Sequence, residues 1–393
     1  MKKMTLRTLP AVLAALFSGA ASAGAFQLWE QSASGLGTAY AGSAAVASDA
    51  GTVFYNPAGL TQLSGFQFST GVAGVGPRYE FRNNDSSVSG SNGGNAGGWS
   101  AVPNAFFGAK LADELWFGLG VSSPFGLATE YDRGWVGERQ SLKSSIKTVN
   151  VNPSLAWRAN DTLSLGFGLN YQKINAELTN SLVSVKGDDT AWGWNAGALF
   201  TLSPAMRVGL SYRSSMKYTL DGSMTGLVNA PAKADVKLPG TFILSVWQQV
   251  SDNWEAMGDF SYTRWSSLQS LNIVNADTGS SLGSETFGYH NAWRLAWGAA
   301  YKAADGLKLK FGVAYDRTPV NDADRTARVP DENRLWLTLG GQWDTGRYGK
   351  VDVGYAYLHV TDPTIDHTQN GVRLNGTYDA NGHIVGVQYS VGF

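Results

Sequence analysis

Long stretches of this chain alternate between apolar and polar residues, and that period of two is the strongest constraint on its fold. Leu163, Leu165, Phe167, Leu169 and Tyr171 form one such series, Leu309, Phe311, Val313 and Tyr315 another, and Val385, Val387, Tyr389, Val391 and Phe393 a third. The residues between them are mostly Ser, Asn, Gln, Gly, Thr, Lys and Arg, so each strand has one apolar and one polar face. Several runs reach about nine to eleven residues, enough to cross an outer-membrane hydrocarbon layer at a tilt, whereas strands of soluble sandwiches commonly have about five or six. Beyond the first 23 residues no apolar run reaches the roughly 18 residues that a spanning helix needs. A membrane-spanning chain of this kind has to close into a barrel, because an open sheet edge in lipid leaves backbone groups without partners.

Connections between the alternating runs are short and long in turn. Ala112 to Glu114, Arg158 to Asp161, Ser203 to Ala205, Ser251 to Asn253 and Ala304 to Gly306 carry turn chemistry. Long connections are expected near 77–100, 124–148, 173–189, 214–238, 266–290, 317–333 and 359–381. Seven long outer loops with short periplasmic turns predict an all-β fold: a transmembrane antiparallel up-and-down β-barrel of about fourteen strands. Trp116, Trp157, Trp247, Trp265, Trp343 and Tyr357, near strand ends, are expected in the interfacial aromatic girdles.

Lys2, Lys3 and Arg7, an apolar core from Leu9 to Phe17, and Ala21-Ser22-Ala23 read as an export signal over residues 1–23. The chain has no Cys, which removes disulfides and thiolate chemistry. Its 30 basic and 31 acidic residues form no basic stripe, which argues against nucleic acid as a partner. No Gly-x-Ser-x-Gly elbow places a nucleophile, and no cofactor signature or enzyme activity is expected. The acidic cluster Asp316, Asp322, Asp324 and Asp331 lacks EF-hand spacing, and His359, Asp362, Asp366 and His367 lack a zinc-ligand framework.

Residues 24–65 break the strand pattern. They are too polar to face lipid and too poor in periodic apolar positions to make their own core, so the economical place for them is inside the barrel as a plug. The expected organisation is a signal at 1–23, an amino-terminal hatch at 24–65 and the barrel at 66–393.

Several motifs, taken together and in order, resemble the outer-membrane long-chain fatty acid transporters, a family that includes uptake proteins for aromatic hydrocarbons. They are Ala25-Phe26-Gln27-Leu28, Ser34-Gly35-Leu36-Gly37, Asp49-Ala50-Gly51, Asn56-Pro57-Ala58, Phe125 to Glu130, Leu238-Pro239, Pro330-Asp331 with Arg334 to Leu337, and Val351 to Gly354. The resemblance implies a fourteen-stranded barrel with an amino-terminal hatch. It also implies a kink in the third strand at Gly126 that opens the wall, Asn56-Pro57 as the hatch neighbour of that kink, and passive lateral release of hydrophobic cargo into the membrane.

Read from the residues alone, Pro124-Phe125-Gly126 either bends the third strand or opens an outer loop, because Pro lacks a ladder donor and Gly weakens a strand. Asn56-Pro57-Ala58 read alone is a turn. Phe26, Leu28, Leu36, Tyr40 and Phe54 offer apolar surface for plug packing or for cargo, and Trp135 offers it on the outer side. By the resemblance, the basic residues that hold a carboxylate fall at Asn175 and His290, which are poor constant cations, with Lys173 and Arg294 as substitutes nearby. Long-chain fatty acids are therefore the first expected cargo and monoaromatic hydrocarbons the second, with a general porin or structural barrel as the competing class. Expected partners are those hydrophobic small molecules, outer-membrane lipids and lipopolysaccharide, and the barrel-assembly machinery, with the protein a monomer in the outer membrane.

Overall fold

A computed structural model of the chain describes residues 24–393; the expected signal at 1–23 lies outside them. Fourteen strands make a closed antiparallel wall. They are β1 (Phe66–Asn83), β2 (Ser100–Ala112), β3 (Leu115–Ser122), β4 (Lys143–Arg158), β5 (Leu163–Thr179), β6 (Val183–Ser203) and β7 (Met206–Arg213). The second half is β8 (Thr241–Gln249), β9 (Trp254–Thr263), β10 (Ala292–Ala304), β11 (Leu307–Asp316), β12 (Arg334–Asp344), β13 (Lys350–Val360) and β14 (Val372–Gly392). Each strand pairs with the next, and β1 pairs with β14 from Gln67↔Gly392 to Asn83↔Gly376. Reciprocal hydrogen bonds between Phe66 and Phe393 finish that seam at 2.9 and 3.0 Å.

The wall is inverted relative to a soluble sheet. On β5 the buried positions are Ser164, Gly166, Gly168, Asn170 and Gln172, while Leu165, Phe167, Leu169 and Tyr171 are exposed on the outside. Large apolar residues facing outward on strand after strand are what a lipid-facing wall requires. Three of the expected girdle residues point the other way. Trp116 and Trp247 have inward parity and are buried, and Trp265 lies just past the end of β9 with no exposure. Trp157 and Trp343 do face outward.

The expected short turns fall where the sequence puts them, but much of the long connections is β-structure. β5 and β6 stay paired as far as Thr179↔Ser184, and Met216–Gly226, Ala230–Leu238, Ser270–Asn275, Ser281–Thr286 and Thr364–Gln369 add further strands beyond the wall.

Residues 24–65 contain three short helical pieces, Leu36–Thr38, Thr52–Tyr55 and Pro57–Gln62, and most of their residues are buried. Side chains that point inward from many strands take up their backbone groups. Gln388 of β14 accepts from Ala33 N (3.0 Å), Thr338 of β12 donates to Gly37 O (3.0 Å), Arg294 of β10 donates to Ala39 O (2.8 Å), Ser245 of β8 accepts from Ala44 N (3.0 Å), and Trp116 of β3 donates to Leu63 O (2.9 Å). Irregular backbone removed from water needs such partners. The approach is close because inward glycines leave room for it. A Cβ at Gly166 would collide with Ala58 N, at Gly197 with the Asn56 side chain, at Gly209 with Ala44 O, and at Gly312 with the Thr38 carbonyl carbon.

Gly166→Val should therefore leave the barrel closed while lifting the Asn56–Ala58 turn from the wall, at a cost of about 1–3 kcal/mol for overpacking. Limited proteolysis of the folded variant should cut within 52–65 faster than in the wild type, with the wall strands still protected.

Candidate functional site

The third strand leaves its ladder at residues 123–125. β3 pairs with β2 up to Ala105↔Val121 and with β4 up to Ser122↔Asn150. The chain resumes as a strand at Gly126–Glu130, which pairs with β4 alone, from Gly126↔Lys147 to Glu130↔Lys143. Three residues, Ser123 to Phe125, thus face two, Thr148 and Val149, which is the count of a β-bulge. Among the described residues, Ser100–Asn104 of β2 pair only with β1. The wall ladder is open there on the side facing the third strand, and Pro103, which has no N–H to give, stands in that stretch.

Every backbone polar group of the break has a partner, none of them from β2. The Gln31 side chain accepts from Ser123 N (2.9 Å) and donates to Ser123 O (2.8 Å). Leu28 N donates to Pro124 O (2.9 Å) and Gly126 N to Phe26 O (2.9 Å). The Thr148 hydroxyl accepts from Phe125 N (3.0 Å) and donates to Phe125 O (2.6 Å). Residues 26–31 thus take the place of a neighbouring strand.

Above this junction lies an apolar region. Phe26 sits 4.7 Å from Trp265 and 6.3 Å from Phe125 between ring centroids, and Trp265 is 5.7 Å from Tyr289. Ile174, Met216, Tyr218 and Leu220 belong to the same buried cluster, which runs up between the outer hairpins to Leu271 and Ile273. A cavity of about 880 Å³ lies elsewhere. It opens at the turn end, beside Gln67, Arg207, Glu255, Lys308 and Phe393. Its charged lining is a poor match for apolar cargo.

Buried charges tie the two parts together. Ala25 N donates to Asp331 Oδ2 (2.8 Å), and Asp331 also pairs with Arg334. Arg294 lies 5.0 Å from the ring centroids of both Trp29 and Trp336. Glu30 is fully buried, with neither carboxylate oxygen hydrogen-bonded. Burial pushes its carboxyl up from 4.5 to about 7, against the pull of the Glu30 backbone N–H, Arg334 and Arg294.

The structure sorts the residues singled out in the sequence. Phe26, Leu28, Pro124, Phe125 and Gly126 meet at the break. Asn56, Pro57 and Ala58 do not. Asn56 Nδ2 donates to Ala198 O of β6 (3.0 Å) and to Ala44 O (2.7 Å), and Ala58 rests on Gly166 of β5. The amino-terminal neighbour of Gly126 is Phe26–Leu28, while Asn56-Pro57 lies against β5 and β6. Locally, Asn56 caps the helical turn 57–62 by accepting from Ala58 N (3.1 Å), with Pro57 in its first turn. Leu36 packs on Gly354 of β13, and Tyr40 donates to Ser32 O (3.0 Å); both are fully enclosed. Phe54 is half-buried, with the Arg213 guanidinium 4.3 Å above its ring.

Lys173 and Asn175, expected near the head group, lie on the outer face of the wall. Strand parity turns both to the outside of β5, where Lys173 pairs with Asp188 (3.0 Å). His290 is part-buried, its ring held to Asn291 O (3.1 Å), and Arg294 does face inward. Trp135 stacks on Tyr131 at 4.0 Å and donates to Ser141 O (2.8 Å), fully buried in the outer loops rather than open to cargo. Among the described residues no three acidic or His side chains form a metal-ready group. Asp322 pairs with Arg325, and Asp366 with Arg373. Sequence reasoning missed Gln31, Thr148 and Arg213. Only the inward parity of Thr148 and Arg213 was available to find them.

The family described as outer membrane protein transport protein (OMPP1/FadL/TodX) matches residues 14–393. Outer membrane protein P1 of Haemophilus influenzae is 32% identical over 450 residues, covering 98% of this chain and 97% of that protein. A long-chain fatty acid transport protein of Escherichia coli O6:H1 is 30% identical over 410 residues, covering 91% and 92%. The crystal structure of a Pseudomonas aeruginosa FadL homologue superposes with a TM-score of 0.90 at 23% identity, over 94% of this chain and all of that one. The Pseudomonas putida toluene transporter TodX gives 0.69 at 16%, over 94% and 100%. At these identities the two solved structures speak to fold alone.

Two outcomes follow from the junction. Thr148→Val leaves the Phe125 N–H and C=O without partners, at about 1–3 kcal/mol each, so hydrogen exchange at residues 123–126 should quicken at least about tenfold. Glu30, whose carboxyl is raised when buried, favours its proton in the seated state. The contribution of Glu30 to the seating of 24–65 is thus fullest below about pH 4.5 and is lost as pH climbs through about 7. Protease cleavage within 24–65 should increase between about pH 5 and about pH 8, and Glu30→Gln should flatten that dependence.

Proposed function

From the premise that the chain belongs to the outer membrane protein transport family (OMPP1/FadL/TodX), a family of passive channels, we propose that it carries long-chain fatty acids inward and releases them sideways into the membrane. In this reading residues 1–23 direct export, 24–65 are a plug, 66–393 are the wall, and cargo leaves beside Pro124-Phe125-Gly126. Outer-leaflet glycolipids surround the wall of a monomer inserted by the barrel-assembly machinery. Cargo would gather between the outer hairpins and descend the apolar cluster toward Phe26.

The observation that carries the proposal is the exchange of partners at residues 123–126, where the amino-terminal segment takes the hydrogen bonds that a neighbouring strand would otherwise make. Movement of 26–31 would uncover a hole already present in the wall ladder. Burial of a long alkyl tail is worth roughly 0.8 kcal/mol per methylene before ordering costs, so partition into the apolar cluster and then into lipid supplies the direction without an energy source. The aromatic group Phe26, Phe125, Trp265 and Tyr289 favours a second reading, monoaromatic hydrocarbons as cargo.

Growth of a deletion strain on a panel of fatty acids and aromatic hydrocarbons, complemented with the wild type or with a chain lacking Phe125, tests both. Removing one residue matches two against two and lets the ladder close. The expected result is loss of uptake by about tenfold or more with the barrel still folded. Undiminished uptake rejects the side exit, and large steady conductance of the wild type in planar bilayers rejects a plugged channel.

A further inference from the structure

Arg213, the last residue of β7, points inward and is held without an acid. Its guanidinium donates to Phe54 O (2.9 Å) and to Asn170 Oδ1, and lies over the Phe54 ring. Among the described residues no carboxylate comes within ion-pairing distance of it. A cation enclosed this way costs free energy that an uncharged carbonyl and amide offset only in part.

Beside it the wall forms a polar cradle. A Cβ at Gly168 would collide with Ser154 Oγ, Asn152 Nδ2 and Asn195 Oδ1, so three polar side chains converge on the space that glycine leaves. Asn195 Oδ1 also accepts from Asn170 Nδ2 (2.9 Å), the residue that holds Arg213. Ser154 Oγ and Asn195 Nδ2, which can donate, have no partner, although Ser154 is 3% and Asn195 0% exposed, and the acceptor oxygens Asn152 Oδ1 and Asn150 Oδ1 of the same network are unpartnered too. Unfilled donors next to an uncompensated guanidinium are the complement of an anion.

The cradle also adjoins apolar surface on one side and the wall break on the other. Gly193, paired with Asn170, lies under Met216, whose Cε is 2.7 Å from the glycine's ideal Cβ, and Met216 leads up through Tyr218 into the apolar cluster. In the other direction Asn150 donates to Asn170 (3.1 Å), and Ser122, opposite Asn150 in register, carries another unpartnered buried hydroxyl at the edge of the break.

The geometry points to a carboxylate site formed by Arg213, Asn170, Asn195 and Ser154 over Gly168. This rests on the reading of the barrel as a channel for amphiphilic cargo, and it places the acid head group at Arg213 rather than at Lys173, Asn175 or His290. The tail lies along Met216 and Tyr218. The arriving carboxylate competes with Phe54 O for the guanidinium, which loosens the helical turn Thr52–Tyr55 from the wall.

Equilibrium binding of oleate and of oleyl alcohol, an uncharged probe of equal length, to the purified full-length barrel tests the site. The quantity read is the preference for the acid over the alcohol. Charge-assisted hydrogen bonds contribute about 1.5–3 kcal/mol, so Arg213→Gln should lower that preference by about tenfold or more, and Arg213→Lys should restore part of it. Gly168→Val fills the cradle without altering charge and should lower the preference likewise, so the test survives misfolding of either variant. Wild-type protein that binds both probes, with a preference unchanged by Arg213→Gln and Gly168→Val, overturns the site alone. Wild-type protein that binds neither probe overturns the channel reading, and the site with it.

Discussion

The structure depends on finding a partner for every backbone N–H and C=O in a setting where water is scarce. The wall solves this by closing on itself, from the β1–β14 seam to the Phe66–Phe393 exchange. The amino-terminal segment has no such ladder, and its turns and short helical pieces, with bonds such as Ala41 N to Thr38 O and Val46 N to Gly42 O, satisfy only part of its groups. Inward side chains of the wall supply the rest, and they reach the segment's backbone because glycines at Gly166, Gly197, Gly209 and Gly312 let the two chains approach. The 48 glycines of the sequence therefore include positions that make the wall less stiff as a strand but better as a bed.

The same requirement explains why the wall opens where it does. A break in a barrel strand orphans a handful of groups, each costing about 1–3 kcal/mol if left unpaired. Here the loss is offset by the Thr148 hydroxyl from within the wall and by Gln31, Leu28 and Phe26 from outside it. Only the second set comes from outside the wall. Thr148 and Pro124 keep the third strand bent whatever the segment does, whereas residues 26–31 are held by a modest number of bonds to residues that belong to the break. In the proposed function, that division would let the wall stay folded while residues 26–31 shift.

Much of this fold was legible in the sequence because side-chain parity survives in a barrel. The alternation at Leu163 to Tyr171 and Val385 to Phe393 pointed to the class, and alternating short and long connections to about fourteen strands. Parity applied with more care would also have turned Lys173 and Asn175 outward, since they share a face with Tyr171, and Trp116 inward, since it shares one with Gly118. What lay beyond the sequence was contact between remote parts of the chain. Nothing in the order of residues says that Gln31 meets Ser123, 92 positions away, or that Phe26 rather than Asn56 faces Gly126. Those depend on the path of an irregular segment, for which no period exists.

The polar and apolar groups of the interior are also separated by height and by side, and this bears on direction. Near the outer hairpins the lining is Ile174, Met216, Tyr218 and Leu220, and at the turn end it is Arg207, Glu255, Lys308 and their neighbours. A long apolar chain gains free energy on entering the first region and would give it up on entering the second. In the proposed channel the gradient would therefore carry such a cargo down to the level of the break and no further. Lipid beyond the wall is the nearest apolar phase from there, and the interrupted third strand is the place where the wall's own hydrogen bonds do not stand in the way.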